Sequence, residues 1–146
     1  MKNIRFYAGI CLALFAFMIA YTAALRPIAT SVQFVFSADA FHQIIHAWRE
    51  QDLLNVFINH FYVDYVFLLM YAVIGYQVTR TYAKWLLPAA ALFDALENSM
   101  QLYLINDNTQ AISLLYALSG CFSAAKWLLI VLFVVIFVRQ RSRLLI

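Results

Sequence analysis

A polar stripe interrupts one of the apolar stretches of this 146-residue sequence. Asp94, Glu97, Asn98 and Gln101 follow i, i+3, i+4 and i+7 spacing, which places all four on one face of a helix. Carboxyl groups held away from water can donate and accept protons. Because ionisable groups are costly in lipid, this face is expected to contact protein. The spacing therefore predicts a binding or acid–base site along this helix.

Two other apolar stretches carry polar residues that could meet this stripe. Ser123 and Lys126 share one helical face, and Asp64 and Tyr71 share another. The candidate catalytic residues are Asp94, Glu97 and Lys126. The candidate ligand contacts are Asp64, Tyr71, Asn98, Gln101 and Ser123. Three acids for one lysine leave an excess of negative charge, so at least one buried carboxylate is expected to retain a proton.

A structural role is the main alternative for the same residues. An acid paired with Lys126 and bridged by Asn98 and Ser123 would link helices in the membrane. Arg26 could similarly reach Asp64 from the end of the first apolar stretch. A structural link needs only one acid for each base, so the excess of carboxylates favours a functional site.

A row of potential metal ligands lies elsewhere in the chain. His42, His46 and Glu50 follow i, i+4 and i+8 spacing, with Asp39 one turn earlier, and such a row can bind a metal. Two histidines on a solvated helix face are common, however. The sequence contains no nucleophile elbow, phosphate-binding glycine loop or paired-cysteine motif. We therefore predict no metal and no cofactor.

These polar residues lie on elements long enough to cross a membrane. The chain is 66% hydrophobic, against about 45–50% for soluble domains. Four runs approach or exceed the roughly 20 residues that a spanning helix needs: 6–25, 61–78, 85–105 and 111–138. The first run could instead be a signal peptide, but its apolar core is longer than the usual 7–15 residues. We predict an all-α integral membrane four-helix bundle, with 1–146 as a single transmembrane domain.

The positions of the Lys and Arg residues predict the orientation of this bundle. Only Arg26 and Arg49 mark one side. The residues marking the other side are Lys2, Arg5, Arg80, Lys84, Arg139, Arg141 and Arg143. Both termini are therefore expected in the cytoplasm, with the protein in a bacterial inner membrane. The basic residues form no stripe interleaved with aromatics, so no nucleic-acid partner is expected.

The long first connection contains an amphipathic segment at about 38–60. Apolar residues recur there at helical spacing, first as Phe41, Ile44, Ile45 and Trp48, then as Leu54, Phe57, Ile58 and Phe61. Ser37 suits the N-cap of a helix starting at Ala38, and Asp52 suits a second N-cap. We predict one or two amphipathic helices that lie on the outer surface or cover the bundle.

Parts of the sequence resemble known membrane proteins. The segment Asp94-Ala95-Leu96-Glu97-Asn98, with Tyr62-Val63-Asp64-Tyr65 before it and Ala125-Lys126 after it, resembles a group of uncharacterised bacterial four-helix membrane proteins. The layout is also loosely similar to the EXPERA family, which includes sterol isomerases and the sigma-2 receptor. That resemblance implies a pocket for a hydrophobic amine or sterol-like ligand, held or protonated by carboxylates. The similarity concerns the layout alone and assigns no role to any residue of this chain. Lys126 departs from the EXPERA pattern.

Three functional hypotheses follow. The leading one is a membrane protein that binds a lipid-like or amphipathic small molecule in an intramembrane polar pocket, with Asp64 at the outer entrance. Membrane lipids and a hydrophobic small molecule are its expected partners, and acid–base chemistry on the ligand would make it an enzyme, a point that the residues leave open. The second is a scaffold or accessory subunit bound to another membrane protein or to its own copy. The third is a small transporter or proton pathway, although paired interrupted helices are lacking.

Overall fold

The structure is a computed structural model that describes residues 2–25, 32–79, 82–106 and 113–142. It is all-α, and the described part contains five helices: α1 (Lys2–Tyr21), α2 (Ala38–Glu50), α3 (Leu54–Val78), α4 (Leu86–Ile105) and α5 (Ser113–Ser142). Short 3-10 turns occur at Ala23–Leu25 and Tyr82–Trp85. Three of these helices, α1, α3 and α5, are long and apolar enough to cross a membrane, which suggests membrane integration.

Helix α4 corresponds to the predicted span at 85–105 but is not one of these three. The reason is its polar stripe, which lowers the average hydropathy of an otherwise apolar helix. The stripe is buried, and its members are Asp94, Glu97, Asn98 and Gln101. On the other side of α4, Leu92 and Tyr103 are exposed. The helix therefore turns its polar face towards protein, as the spacing predicts.

The boundaries of the other helices differ from the predicted runs in one important respect. Helix α3 begins at Leu54, seven residues before the predicted span at 61–78. Residues 54–60 were expected in the amphipathic segment at 38–60, but they continue into α3 without a break. The amphipathic segment is thus divided between α2 and the first two turns of α3.

Helix α2 has the capped start and the buried face that its sequence predicts. The Ser37 side chain accepts a hydrogen bond from the backbone N–H of Ala40, so the predicted N-cap is confirmed. The prediction of Asp52 as a second N-cap is wrong. Leu53 occupies that position without a side-chain hydrogen bond, and Asp52 itself has a positive φ of 57°.

The four longest helices, α1, α3, α4 and α5, pack around a polar centre. Helix α4 lies between α3 and α5, and α1 packs against α3. A Cβ added at Gly75 in α3 would lie 2.5 Å from the Cβ of Leu87 in α4, so these two helices approach closely at this point. The close approach helps to set the rotation of α4 that turns its stripe inward.

Helix α2 covers one end of the bundle. It contacts both α3 and α5, and it buries Phe41, Ile45 and Trp48 in a common apolar core with residues of the other helices. The rings of Trp48 and Phe57 have centroids 4.5 Å apart. His42 Nε2 lies 2.8 Å from the hydroxyl of Tyr116, which links α2 to α5. These contacts hold α2 against α3 and α5.

Candidate functional site

The centre of the site is a buried lysine between two carboxylates. Lys126 Nζ in α5 lies 2.7 Å from Asp94 Oδ1 and 2.8 Å from Glu97 Oε2, both in α4. The three side chains are at most 8% exposed. Asp94 and Glu97 are one turn apart, so a single ammonium group can bridge them from the neighbouring helix. We refer to these three residues as the ion cluster.

Neutral side chains add hydrogen bonds to the carboxylates of the ion cluster. Tyr71 of α3 donates its hydroxyl hydrogen to Asp94 Oδ2 over 3.1 Å. Gln101 Nε2 donates to Glu97 Oε1 over 3.0 Å from one turn along α4. These bonds supply donors that a buried carboxylate would otherwise obtain from water. The predicted residues Tyr71 and Gln101 therefore do meet the predicted acids.

Asp64 joins the same region through a second contact between α3 and α4. Asn98 Nδ2 donates a hydrogen bond of 2.6 Å to Asp64 Oδ2. Asp64 is 8% exposed and Asn98 is 3% exposed. The alternative partner predicted for Asp64, Arg26, lies outside the described residues. Among the described residues, Asn98 is the side chain that holds this carboxylate.

Ser123 lies one turn before Lys126 on the same face of α5. Its side chain is fully buried and lies beside the Glu97 carboxylate. Its hydroxyl nevertheless does not meet the geometry of a hydrogen bond with any residue that the structure describes. Ser123 therefore packs behind the ion cluster. It does not line the cavity in front of it.

A cavity of about 550 Å³ lies in front of the ion cluster. Seven of the eight predicted site residues line it: Asp64, Tyr71, Asp94, Glu97, Asn98, Gln101 and Lys126. The rest of the wall is mostly apolar, with side chains such as Phe15, Ile19, Phe61, Phe67, Ile130 and Val134. The volume lies within the range of small-molecule sites, which are typically apolar with a few convergent polar groups.

The first helix takes a larger part in this cavity than its sequence suggests. Three side chains of α1 reach the cavity, namely Phe15, Met18 and Ile19, and so do Thr22 and Leu25 directly after it. Helix α1 packs against α3 and makes little contact with α5 in the described part of the chain, yet both α1 and α5 line the cavity.

His60 is a cavity residue that the sequence reasoning did not assign to the site. It lies one turn before Asp64 on α3, and its ring packs against Phe57 and Phe61, with centroid distances of 5.2 and 4.2 Å. Its Nδ1 forms a hydrogen bond with the carbonyl oxygen of Phe57. The i, i+4 spacing of His60 and Asp64 was the signal that could have identified it.

The row of potential metal ligands on α2 forms no metal-binding group among the described residues. No group of three or more His, Cys, Asp or Glu side chains suited to a metal occurs within residues 2–25, 32–79, 82–106 and 113–142. His42 bonds to Tyr116 instead, and His46 and Glu50 are exposed on α2.

The geometry provides a continuous polar path at one wall of an apolar cavity. The path runs from Tyr71 through Asp94 and Lys126 to Glu97 and Gln101. Groups arranged in this way can bind a polar head group, exchange protons with it, or do both. No known protein family, curated protein or solved structure shows a significant match to this chain, so its function has to be inferred from this geometry.

Proposed function

We propose that this protein binds an amphipathic, lipid-like small molecule in the cavity between α1, α3, α4 and α5. The observation that carries the proposal is the combination of a largely apolar cavity with the buried ion cluster at one wall. An apolar tail would occupy the apolar part, and the polar head would approach the ion cluster. Three acids and one lysine at that wall exceed what a link between two helices requires.

The proposal places α4 in the membrane as a fourth span. Its 20 residues correspond to about 30 Å of helix, close to the thickness of a hydrocarbon core. Its ionisable residues contact α3 and α5, and its outer face carries exposed apolar side chains such as Leu92. Four spans put both termini on one side, and the distribution of Lys and Arg makes this side cytoplasmic, in a bacterial inner membrane.

Acid–base chemistry on the bound molecule is an extension of this proposal. Asp94, Glu97 and Lys126 are the groups that would exchange protons with the ligand. Lys126 contacts both carboxylates, so a proton taken up by one acid can be balanced within the ion cluster. Binding comes first in this scheme, because the same residues must hold the head group before any proton moves.

The proposal is tested by removing the charges of the ion cluster together. The variant combines Asp94→Asn, Glu97→Gln and Lys126→Met, because neutralising the acids alone would leave Lys126 buried without a counter-charge. We expect a folded protein that no longer retains a co-purified amphiphile, as measured by native mass spectrometry and lipid extraction.

The matched control is Tyr65→Phe. Tyr65 also forms a polar contact between α3 and α4, a 2.8 Å hydrogen bond to Ser99, but this contact is exposed and neither residue lines the cavity. The control should keep its ligand. A folded triple variant that retains as much amphiphile as the control would refute the proposed site.

A scaffold or accessory subunit is the second candidate function. It is favoured by the surface of α1, where no residue of the window Ile4–Tyr21 is buried and Phe6 and Leu12 are more than 60% exposed. Such a surface is covered either by lipid or by another membrane chain. Native mass spectrometry in mild detergent distinguishes the two functions. A stable monomer that carries a ligand favours the binding function, and a ligand-free complex favours the scaffold.

A further inference from the structure

The hydrogen-bonding direction of His60 is set by its backbone partner. The carbonyl oxygen of Phe57 can only accept, so Nδ1 of His60 carries the hydrogen of that bond. In the neutral imidazole, Nε2 is then an acceptor. No residue that the structure describes donates a hydrogen bond to Nε2, and the side chain lines the cavity. A neutral His60 therefore has an acceptor, Nε2, that no described residue satisfies.

The two amide side chains of the site have the same orientation, with the NH2 group towards a carboxylate. Asn98 donates from its NH2 group to Asp64 Oδ2, and Gln101 donates from its NH2 group to Glu97 Oε1. Their carbonyl oxygens are left without a donor among the described residues, as is Oδ1 of Asp64. His60, Asp64, Asn98 and Gln101 thus present acceptors together. We call these four residues the acceptor subsite.

Two donors of the cavity wall, Lys126 and Tyr71, are engaged with acids. Lys126 donates to Asp94 and forms an ion pair with Glu97, and Tyr71 donates to Asp94. The single lysine is already outnumbered by three acids in the cavity wall, one of them in the acceptor subsite. An anionic head group would meet like charge here, which is strongly unfavourable at short range in a medium of low dielectric constant.

We propose that the acceptor subsite selects a head group that donates hydrogen bonds and carries no negative charge, and that His60 is a specificity-determining residue for it. The proposal rests on the proposed function and names the class of ligand: a long-chain alcohol or amine rather than a fatty acid or a lipid phosphate. A ligand without a donor leaves the buried acceptors unsatisfied, a cost that corresponds to about a tenfold loss of affinity or more.

The test uses ligand pairs that differ in their ability to donate. Full-length protein in detergent is mixed with hexadecanol and hexadecyl methyl ether, or with hexadecylamine and hexadecyltrimethylammonium, and the bound species are counted by native mass spectrometry. Hexadecanoate serves as the anionic probe. We expect the donor of at least one pair to be retained about tenfold more than its partner, and hexadecanoate to be retained least. A preference within the first pair identifies an alcohol as the ligand class, and a preference within the second pair identifies an amine.

A single substitution tests the role of His60. His60→Phe removes the acceptor and keeps an aromatic ring between Phe57 and Phe61, and His46→Phe makes the same change on the exposed face of α2. His60→Phe should lower the preference within the pair at least fivefold without abolishing binding, whereas His46→Phe should not.

Equal retention within both pairs by the unmodified protein, or a preference for hexadecanoate, overturns the inference and leaves the proposed function standing. Retention of no probe overturns both, and an unchanged preference in His60→Phe removes His60 from the proposal.

Discussion

The ammonium nitrogen of Lys126 lies 2.7 Å from Oδ1 of Asp94, and this ion pair joins α5 to α4 inside the protein. The side chains are 6% and 8% exposed, so water compensates neither charge to any large extent. Each charge therefore depends on the other, and on Glu97, which shares the same lysine. The effects of removing these charges on stability and on binding can be measured separately.

Removing the lysine alone should destabilise the protein strongly. Lys126→Met leaves Asp94 and Glu97 buried without their cation, and breaking a buried pair in this way costs about 3–5 kcal/mol. The free energy of unfolding can be measured by denaturant titration in mixed micelles. The triple variant with Asp94→Asn and Glu97→Gln should recover most of the loss. If Lys126→Met has the same free energy of unfolding as the triple variant, burying Asp94 and Glu97 does not require Lys126.

The close approach of α3 and α4 predicts a packing defect at Gly75. Gly75→Ala would place a Cβ 2.5 Å from the Cβ of Leu87, and overpacking of this kind costs about 1–3 kcal/mol, which exceeds the gain in helix propensity of up to about 1 kcal/mol. We expect a lower thermal unfolding temperature. Gly9→Ala is the control, because no atom lies within 4 Å of its added Cβ, and it should be neutral or stabilising. Similar effects at both positions would contradict the observed packing.

Filling the cavity should displace the proposed ligand without unfolding the protein. Ile130→Trp puts a larger side chain on the α5 wall of the cavity, where it would occupy part of the roughly 550 Å³ available to an apolar tail. The amount of co-purified amphiphile is expected to fall at least fivefold, as measured by mass spectrometry after extraction. Leu128→Trp makes a similar change on the same helix at a position that is 69% exposed and does not line the cavity. Equal retention in the two variants would place the ligand elsewhere.

Helix α2 is expected to detach when its main apolar anchor is removed. Trp48 is 2% exposed and packs on Phe57, and truncation of such a residue to alanine costs about 3–5 kcal/mol. Trp48→Ala should increase amide hydrogen exchange across Ala38–Glu50 far more than across α4. The neighbouring substitution Arg49→Ala, at an exposed position, should leave the exchange nearly unchanged. If Trp48→Ala and Arg49→Ala show the same amide exchange across Ala38–Glu50, the contact between Trp48 and Phe57 does not hold α2 in place.

Much of the candidate site could be predicted because its signals are local. A helix repeats every 3.6 residues, so the spacing of Asp94, Glu97, Asn98 and Gln101 places them on one face in any fold that keeps the helix. Charged groups on an otherwise apolar helix favour contact with protein, and the structure buries all four. The cap at Ser37 is equally local, since it depends on a side chain and a backbone N–H three residues apart.

The wrong boundary at α3 shows where local signals become ambiguous. Residues 54–60 have the same apolar spacing in an amphipathic surface helix as in the first two turns of a longer one. Whether the chain bends at residue 60 or continues straight depends on what Phe57 and Phe61 pack against. In the structure they belong to the core beneath α2, and that contact keeps the helix continuous.

The sequence by itself determined the helices, the apolar character of three of them and the faces that carry the polar residues. Only the tertiary structure decided that Lys126 bridges Asp94 and Glu97, that Asp64 bonds to Asn98, and that α1 and His60 line the same cavity. The physical reason is that periodicity specifies which residues share a face, whereas partners across helices depend on rotation and separation. Those are set by contacts between residues distant in the chain, such as Gly75 against Leu87.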